Sequence, residues 1–337
     1  MLFAASALLL AGCSDWTEYE SLDLTTPPSM NAELQADYVR NLKTYKTGIH
    51  KVVFVSFENP ATGPTRQAER LTVLPDSLDF ISLNNPDNLT HEYIAEMEKV
   101  REKGTKVIYT VDFATLESKW IELQKSDASL TEKDALSYIS EQTKALLALH
   151  DKYSYDGIVF AYNGRSTIAM TEDELARYSS RQTAFFDAVS AWRDVHGDAY
   201  FSYKGQAQYL LDANKAILAD CDYIILETTS ASSAAALTIV ANKAIDSGNI
   251  PSDRFVISVE TTRYDDEDMI YGYFNQVDAA GNAVRSIWGG AIWVGQPSEF
   301  TRAGMFILNA QYDYYDNVPV YFHLREAIGI MNPSPKK

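Results

Sequence analysis

The segment that decides the fold reads YDGIVFAYNG and spans residues 155–164. A turn at Asp156 precedes an apolar run at residues 158–161, which suits a strand buried on both faces. The polar residues 162–164 then follow at the carboxyl end of that strand. In parallel α/β barrels, this end of the strands carries the catalytic and binding residues. The segment therefore predicts a central barrel strand with a functional tip.

Seven further apolar runs have the length and composition of strands, and helical patterns separate several of them. They are residues 50–57, 78–83, 106–113, 200–203, 223–226, 255–259 and 290–294. Two predicted helices begin with capping-box patterns, Thr131 with Asp134 and Thr171 with Glu174. This alternation predicts an α/β fold of the (β/α)₈ TIM-barrel type. No glycine-rich phosphate-binding loop follows the first strand, so no dinucleotide or other cofactor is expected.

The amino-terminal residues match a bacterial lipoprotein signal. An apolar run at residues 2–11 ends in L-A-G-C, in which Cys13 would be lipidated after cleavage. The acidic residues 14–20 resemble the tract that directs lipoproteins of Bacteroidetes to the outer face of the outer membrane. The expected localisation is therefore the outer membrane, facing the cell surface. The predicted domains are a signal peptide at residues 1–12, a lipidated tether and outer segment at 13–47, and one barrel at 48–331.

Composition narrows the class of ligand. The net charge of −17 argues against nucleic acid and against electrostatic attachment to anionic lipid, whereas neutral sugars are compatible with it. The five histidines show no metal-ligand spacing with each other or with cysteine, so no metal is expected. Cys221 would be the one cysteine besides the lipidated residue, and its position between Asp220 and Asp222, ahead of an apolar strand, predicts a buried structural thiol.

Polar residues at the strand tips of such a barrel would meet at a single mouth. They are Glu58, Asn84, Asp112, Tyr162, Asn163, Arg165, Lys204, Gln206, Glu227, Glu260, Trp293 and Gln296. Amides, carboxylates and an arginine can form paired hydrogen bonds with vicinal hydroxyl groups, and tryptophan can stack on the face of a sugar. This inventory predicts a polyhydroxylated ligand.

The central segment resembles the signature strand of glycoside hydrolase family 18, the chitinases and endo-β-N-acetylglucosaminidases, whose pattern is D-G-x-D-x-D-x-E. Asp156 and Gly157 match this pattern. Val159 and Ala161 stand where the family has its two inner aspartates, and Asn163 stands where it has its catalytic glutamate. An amide cannot protonate a glycosidic oxygen as a carboxylic acid does. The resemblance implies a sugar-binding barrel, and Asn163 argues against catalysis of the family type.

The leading hypothesis is a surface lipoprotein that binds N-acetylglucosamine-containing glycans, such as N-glycans, without cleaving them. Membrane attachment would be through Cys13, and the expected partners are other glycosidases and an outer-membrane glycan importer. The predicted ligand-binding residues are Tyr162, Asn163, Arg165, Glu227, Glu260, Trp293 and Gln296. Trp293 resembles the tryptophan that floors the N-acetylglucosamine subsite of the family.

Two alternatives remain open on the sequence. The first is an active endo-β-N-acetylglucosaminidase that uses another strand-end carboxylate, Glu227, Glu260 or Asp112. Glu227 and Glu260 end neighbouring predicted strands, and a retaining pair of carboxylates would lie about 5–5.5 Å apart. The second is a structural or adhesion lipoprotein whose barrel mouth is plugged by Tyr162 and its neighbours.

Overall fold

The computed structural model describes residues 32–263, 269, 271–315 and 319–333. The predicted signal peptide, Cys13 and the acidic tract after it lie outside the described residues, and the predicted domain limits stay predictions. The chain divides into two compact units, residues 1–38 and 39–337. The first helix, α1 (Ala32–Thr47), occupies part of the segment predicted as a tether and outer helix.

Eight strands are parallel and close into one barrel. They are β1 (Val52–Phe57), β2 (Phe80–Leu83), β3 (Lys106–Asp112), β4 (Gly157–Tyr162), β5 (Tyr200–Gly205), β6 (Tyr223–Leu226), β7 (Phe255–Glu260) and β10 (Arg302–Leu308). Around the barrel the order is β1-β10-β7-β6-β5-β4-β3-β2. An antiparallel hairpin of β8 (Tyr273–Val277) and β9 (Ala283–Arg285) follows β7. The predicted (β/α)₈ TIM barrel is confirmed.

Helices connect the strands and cover the outer face of the barrel. Those described after α1 are α2 (His91–Glu102), α3 (Phe113–Ser126), α4 (Glu132–Leu147), α5 (Leu149–Tyr153), α6 (Glu172–Val195), α7 (Asp212–Lys215), α8 (Ala234–Asp246), α9 (Ser286–Gly295) and α10 (Phe322–Met331). Both predicted capping boxes are present, with Thr131 and Asp134 starting α4 and Thr171 and Glu174 starting α6. Each box satisfies backbone N–H groups that a helix start leaves unpaired.

Alternate residues of each strand face the barrel interior, as the period of a β-strand requires. A compact apolar cluster fills the interior, and it consists of Val52, Phe54, Phe80, Ile108, Val159, Ile225, Val256 and Phe306. Within it, the rings of Phe54 and Phe80 stack with their centroids 4.2 Å apart. Ser56, Thr110 and Ala161 lie two residues further along the same faces of their strands. These smaller side chains leave space at the carboxyl ends of the strands.

Asp156 and Gly157, which match the family 18 pattern, hold the start of β4. The Asp156 Oδ2 atom accepts hydrogen bonds from the Val107 backbone N–H at 2.7 Å and from Arg101 Nε at 2.9 Å. A Cβ atom at Gly157 would lie 2.0 Å from the backbone oxygen of Tyr200, so β4 and β5 can approach only without a side chain there. Both residues therefore have a structural role at the amino end of the strand, away from the mouth.

The eighth strand was predicted at residues 290–294, and this prediction is wrong. These residues belong to α9, and the eighth barrel strand is β10. Helix α9 is apolar on nearly every side because it is buried, and a short apolar run in a sequence does not distinguish a buried strand from a buried helix. The true strand contains Gly304, whose Cβ would lie 1.9 Å from the Val52 backbone oxygen. A glycine required by close strand packing thus weakened the strand pattern.

Candidate functional site at the barrel mouth

A cavity of about 270 Å³ opens at the carboxyl ends of the strands. Its lining residues are Ser56, Asn84, Thr110, Asp112, Ala114, Ala161, Asn163, Lys204, Phe306, Leu308 and Asn309. Three amides and two hydroxyl groups dominate this lining, and the apolar side chains of Phe306 and Leu308 add a patch that can contact the carbon face of a sugar ring. The cavity has the polar, mainly neutral character that a sugar residue requires.

Asn163 stands at this mouth, two residues beyond Ala161 on the inward face of β4. Its side chain is exposed, and its amide makes no hydrogen bond to any described residue. Ala161 lies beside Lys204 in the register of β4 with β5. The position at which the family 18 pattern places its acid therefore carries a free amide, which can donate to and accept from a ligand but cannot supply a proton for bond cleavage.

Asp112, the first alternative carboxylate, is the N-cap of α3. Its two oxygens accept hydrogen bonds from the backbone N–H groups of Ala114 and Thr115, each at 3.2 Å, and from Thr115 Oγ1 at 2.8 Å. These donors are groups at the first turn of α3, which an N-cap side chain pairs. Although Asp112 lines the cavity, its charge is committed to the start of the helix.

Glu227, the second alternative, forms an ion pair with Lys204. Both side chains are largely buried, with exposed fractions of 16% and 15%. Burial alone would raise the pKa of Glu227, but the Lys204 ammonium and hydrogen bonds from Thr229 outweigh it and hold the pKa below its usual range. A general acid needs the opposite shift, so this arrangement favours a permanent carboxylate.

Glu260, the third alternative, lies at the end of β7. Its Oε1 atom accepts a hydrogen bond from Asn309 Nδ2 at 2.9 Å and pairs with the Arg263 guanidinium at 3.1 Å. In the register of β6 with β7, Leu226 lies beside Ile257, so Glu260 stands two residues further along its strand than the level of Glu227. Each glutamate thus has its own cationic partner.

A second cavity, of about 470 Å³, adjoins the mouth on the side of α3 and α6. Its lining residues are Phe113, Glu117, Ile121, Tyr162, Asn163, Arg165, Glu174, Arg177, Tyr178 and Arg181. Asn163 lines both cavities, so a ligand with several sugar residues could pass from one into the other at this side chain. Arg165, a predicted binding residue, has an exposed side chain in this side cavity.

Tyr162 faces the helices, away from the interior of the barrel. Its ring packs against Phe113 at a centroid distance of 4.8 Å and against Phe186 at 5.7 Å. Burial raises the pKa of its hydroxyl group well above the usual value. Tyr162 therefore forms part of the wall of the side cavity and does not plug the barrel mouth.

Trp293 does not lie at the mouth, in contrast to its predicted position. It is 2% exposed within α9, where its Nε1 atom donates to Thr238 Oγ1 at 2.9 Å and the Arg302 guanidinium stacks 3.9 Å from its ring. Gln296 follows the end of α9 and precedes the amino end of β10, so it lies at the opposite end of the strands. Both misplacements follow from the incorrect eighth strand.

Replacing Trp293 by Phe is expected to lower the free energy of unfolding by about 1–2 kcal/mol, through lost packing volume and the lost hydrogen bond from the indole N–H to Thr238. Denaturant titration measures this loss. Glycan affinity should not change, because the indole is buried outside the mouth. If stability stayed constant while glycan affinity fell, the indole would have to contact the ligand.

Glu58 and Asn84, two other predicted tip residues, are joined by a hydrogen bond at the mouth. Glu58 accepts hydrogen bonds from Asn84 Nδ2 at 3.0 Å and from Asn85 Nδ2 at 2.8 Å. Sequence reasoning missed Ser56, Thr110 and Asn309. The first two could have been found by continuing the alternation of inward-facing residues along β1 and β3. Asn309 required the correct eighth strand.

Other predictions concern groups away from the mouth. Cys221 is buried as expected, and burial raises the pKa of its thiol. Among the described histidines, cysteines and carboxylates, the group that could hold a metal ion is His150, Asp151 and His196. His150 lies just before β4 and His196 just before β5, so this group is near the amino ends of the strands. Within the described part of the chain, no helix combines the length and apolar character needed to cross a bilayer.

Comparisons with known proteins agree with this geometry. The model of glycoside hydrolase family 18, BT1044-like, matches residues 17–330. No curated protein matches the chain by sequence. A selenomethionine Glu-to-Gln variant of BT1044 has a similar structure, with a TM-score of 0.62 and 20% identity over 91% of this chain and 95% of that one.

Two structures of an endo-β-N-acetylglucosaminidase from Cordyceps militaris are also similar. The apo form has a TM-score of 0.62 and 18% identity over 88% of this chain and 95% of that one. The other, with an Asp and a Glu replaced by their amides and fucosyl-N-acetylglucosamine-Asn bound, has a TM-score of 0.58 and 16% identity over the same shares. The family match supports a glycan-related function. Since it covers most of the sequence, the chain belongs to glycoside hydrolase family 18, BT1044-like.

Proposed function

We propose that the protein binds N-acetylglucosamine-containing glycans at the barrel mouth without hydrolysing them. The observation that carries this proposal is the free, exposed amide of Asn163 at the position of the family's acid. Ala161 likewise provides no carboxylate to steer the N-acetyl group that family 18 enzymes use as their nucleophile. Binding requires hydrogen-bond donors and acceptors at this position, and an amide supplies both.

The alternative of hydrolysis by another carboxylate has less support. Asp112 is committed to the N-cap of α3, and Glu227 is held ionised by Lys204. Glu260 is bound by Asn309 and Arg263. A general acid must be protonated when substrate binds, and the lowered pKa of Glu227 opposes this. The oxygens of Asp112 and Glu260 already accept hydrogen bonds from neighbouring side chains. A mouth with such committed carboxylates and a free amide is better suited to holding a glycan than to cleaving it.

The glycan class rests on two supports. The bound ligand of one similar structure is fucosyl-N-acetylglucosamine-Asn, which contains the N-acetylglucosamine unit attached to asparagine in N-glycans. The mouth of this chain offers the neutral amides of Asn84, Asn163 and Asn309, which suit the hydroxyl and acetamido groups of such a sugar. The side cavity that meets the mouth at Asn163 gives room for further sugar residues.

We also propose that the protein is anchored to the outer membrane and acts together with partner proteins. Lipidation of Cys13 would hold the protein at the outer membrane, with the acidic tract at residues 14–20 directing it to the cell surface. There the barrel would retain glycans for partner glycosidases and for an importer. Radiolabelled palmitate incorporation that is lost in Cys13→Ala, together with protease accessibility on whole cells, tests the anchor and its orientation independently of glycan binding.

The binding proposal is tested with immobilised N-glycoproteins and chito-oligosaccharides. Purified protein is expected to be retained, and mass spectrometry after long incubation at near-stoichiometric protein should find the glycans intact. Cleavage between the two core N-acetylglucosamine residues would refute the non-hydrolytic proposal. Failure to retain any of these glycans would refute binding.

Asn163→Ala is expected to weaken glycan affinity about 5- to 30-fold, the effect of losing one or two hydrogen bonds of about 1 kcal/mol each. Titration calorimetry with the retained glycan measures this change. Asn242→Ala is the matched control, since Asn242 is exposed on α8 and its loss should leave affinity unchanged. Equal affinity in both variants would place the ligand away from Asn163.

A further inference from the structure

We propose that His150, Asp151 and His196 form a binding site for a divalent transition-metal ion such as Zn²⁺. Their ligand atoms all lie within 4.8 Å of one another. The Asp151 Oδ1 atom is 2.8 Å from His150 Nδ1 and 3.1 Å from His196 Nε2. Two imidazoles and one carboxylate are a ligand set that transition metals accept and that leaves a coordination position for water.

The hydrogen bonding of His196 directs its Nε2 atom at the Asp151 carboxylate. Its Nδ1 atom lies 2.9 Å from the backbone oxygen of Trp192, which can only accept, so Nδ1 carries the proton. In the neutral ring, Nε2 is then a bare acceptor, and it faces both oxygens of Asp151 at 3.1 and 3.3 Å. Two acceptors in contact repel each other unless a proton or a metal ion lies between them.

The same hydrogen bond is the outer-shell contact that metal-binding histidines commonly make. Donation from one ring nitrogen to a backbone carbonyl fixes the tautomer and directs the other nitrogen at the metal. Trp192 also holds both rings in place, because His196 stacks on it at 4.5 Å and His150 meets it edge-on at 5.2 Å. The two imidazoles are therefore oriented before any ion binds.

The distances from the Asp151 carboxylate to the two rings are close to those of a metal site. With metal–ligand bonds of about 2.0–2.1 Å, tetrahedral ligand atoms lie about 3.3 Å apart. The two contacts of Asp151 Oδ1 would have to lengthen by only a few tenths of an ångström. Asp151 can move in this way because its side chain is 68% exposed, whereas the rings of His150 and His196 are 16% and 19% exposed. Solvent can supply the remaining ligand.

The location indicates a structural role for the ion. His150 and Asp151 lie on α5, which leads into β4, and His196 caps the carboxyl end of α6, which leads into β5. A bound ion would join the two helices that flank the central strand at its amino end, opposite the sugar-binding mouth. This end of a barrel contributes to stability, and the site is separate from the glycan chemistry proposed above.

Titration calorimetry of the chelator-treated full chain with ZnCl₂ tests this site. We expect one equivalent of Zn²⁺ to bind, no binding of Mg²⁺, and a higher melting temperature with zinc. Asp151→Asn and His196→Gln should each weaken zinc affinity at least about 10-fold. Asp151→Asn keeps an oxygen that His150 can donate to and adds a donor for His196, so folding without metal should be preserved.

Asp194→Asn is the control, because Asp194 is an exposed carboxylate on the same helix as Trp192 and close to His196. Its zinc affinity should equal that of the unaltered protein. The proposal would be overturned if the unaltered protein showed no saturable zinc binding. Equal zinc affinity in Asp151→Asn, His196→Gln and the control would also overturn it, since any zinc would then bind elsewhere.

Discussion

The combined replacement of Ala161 by Asp and Asn163 by Glu is expected to give glycan-cleaving activity at least about 100-fold above that of the unaltered chain, the lower range of what a positioned general acid contributes. Both positions face the barrel mouth and line the same cavity. The first change supplies the carboxylate that steers the substrate's N-acetyl group, and the second supplies the acid. Release of the cleaved glycan, followed by mass spectrometry, measures the gain.

The neighbouring Lys204 is expected to limit the activity of the variant that carries Asp at 161 and Glu at 163. Lys204 lies beside Ala161 in the sheet register, and its ammonium favours the ionised form of any new carboxyl group nearby. The activity should therefore increase below neutral pH. Val159 is left unchanged because it is fully buried in the barrel interior, where a carboxylate would lack solvation.

The amide pair Ala161→Asn with Asn163→Gln is the matched control, since it adds nearly the same atoms without an acid. This control should bind glycans and leave them intact. Cleavage at equal rates by the acidic pair, the amide pair and the unaltered chain would mean that the chemistry resides elsewhere in the mouth. The assignment of Asn163 as the residue that prevents hydrolysis would then be wrong.

The barrel itself was predictable from sequence because its signals are local. Buried strands form short apolar runs, and the capping boxes at Thr131 and Thr171 mark helix starts without reference to distant residues. The eighth strand was not predictable in this way. Gly304 weakens the strand pattern, and it is needed because the Val52 backbone packs closely against it in the folded barrel. Helix α9 is buried and therefore has the apolar composition of a buried strand.

The site was predictable only in part. Strand alternation places Asn163 at the mouth, and it does so from sequence alone. The state of the other carboxylates depends on partners far away in the chain, such as Lys204 for Glu227, or on rotamers, as when Asp112 turns back to cap α3. The positions of the family pattern have two different roles. Asp156 and Gly157 hold neighbouring strands together in this chain, whereas Ala161 and Asn163 occupy the positions at which the family has its catalytic carboxylates.

Replacing Lys204 by Met is expected to lower the free energy of unfolding by about 2–3 kcal/mol at neutral pH. Breaking a fully buried ion pair costs about 3–5 kcal/mol, and the partial exposure of both side chains reduces that figure. The cost arises because Glu227 remains ionised and largely buried without its cation. Denaturant-induced unfolding of the folded barrel measures it.

The sign of the pH dependence follows from the pKa of Glu227. In the unaltered protein this pKa is lowered, so the ion pair contributes stability above the unfolded pKa of about 4.3, and that stability is lost as the pH falls through the folded pKa. Without Lys204, burial is expected to raise the pKa, and protonation on acidification relieves the penalty. The stability difference between the two proteins should therefore shrink as the pH falls.

Two controls separate this effect from lost packing. Lys204→Met combined with Glu227→Gln removes the uncompensated charge and should recover most of the stability at neutral pH. Lys103→Met breaks a more exposed pair with Asp76, whose side chains are 26% and 27% exposed, and should cost less than about 1 kcal/mol. An equal loss in Lys204→Met and in the double variant, independent of pH, would mean that Lys204 acts through its hydrocarbon chain. The uncompensated charge of Glu227 would then not be the source of the lost stability.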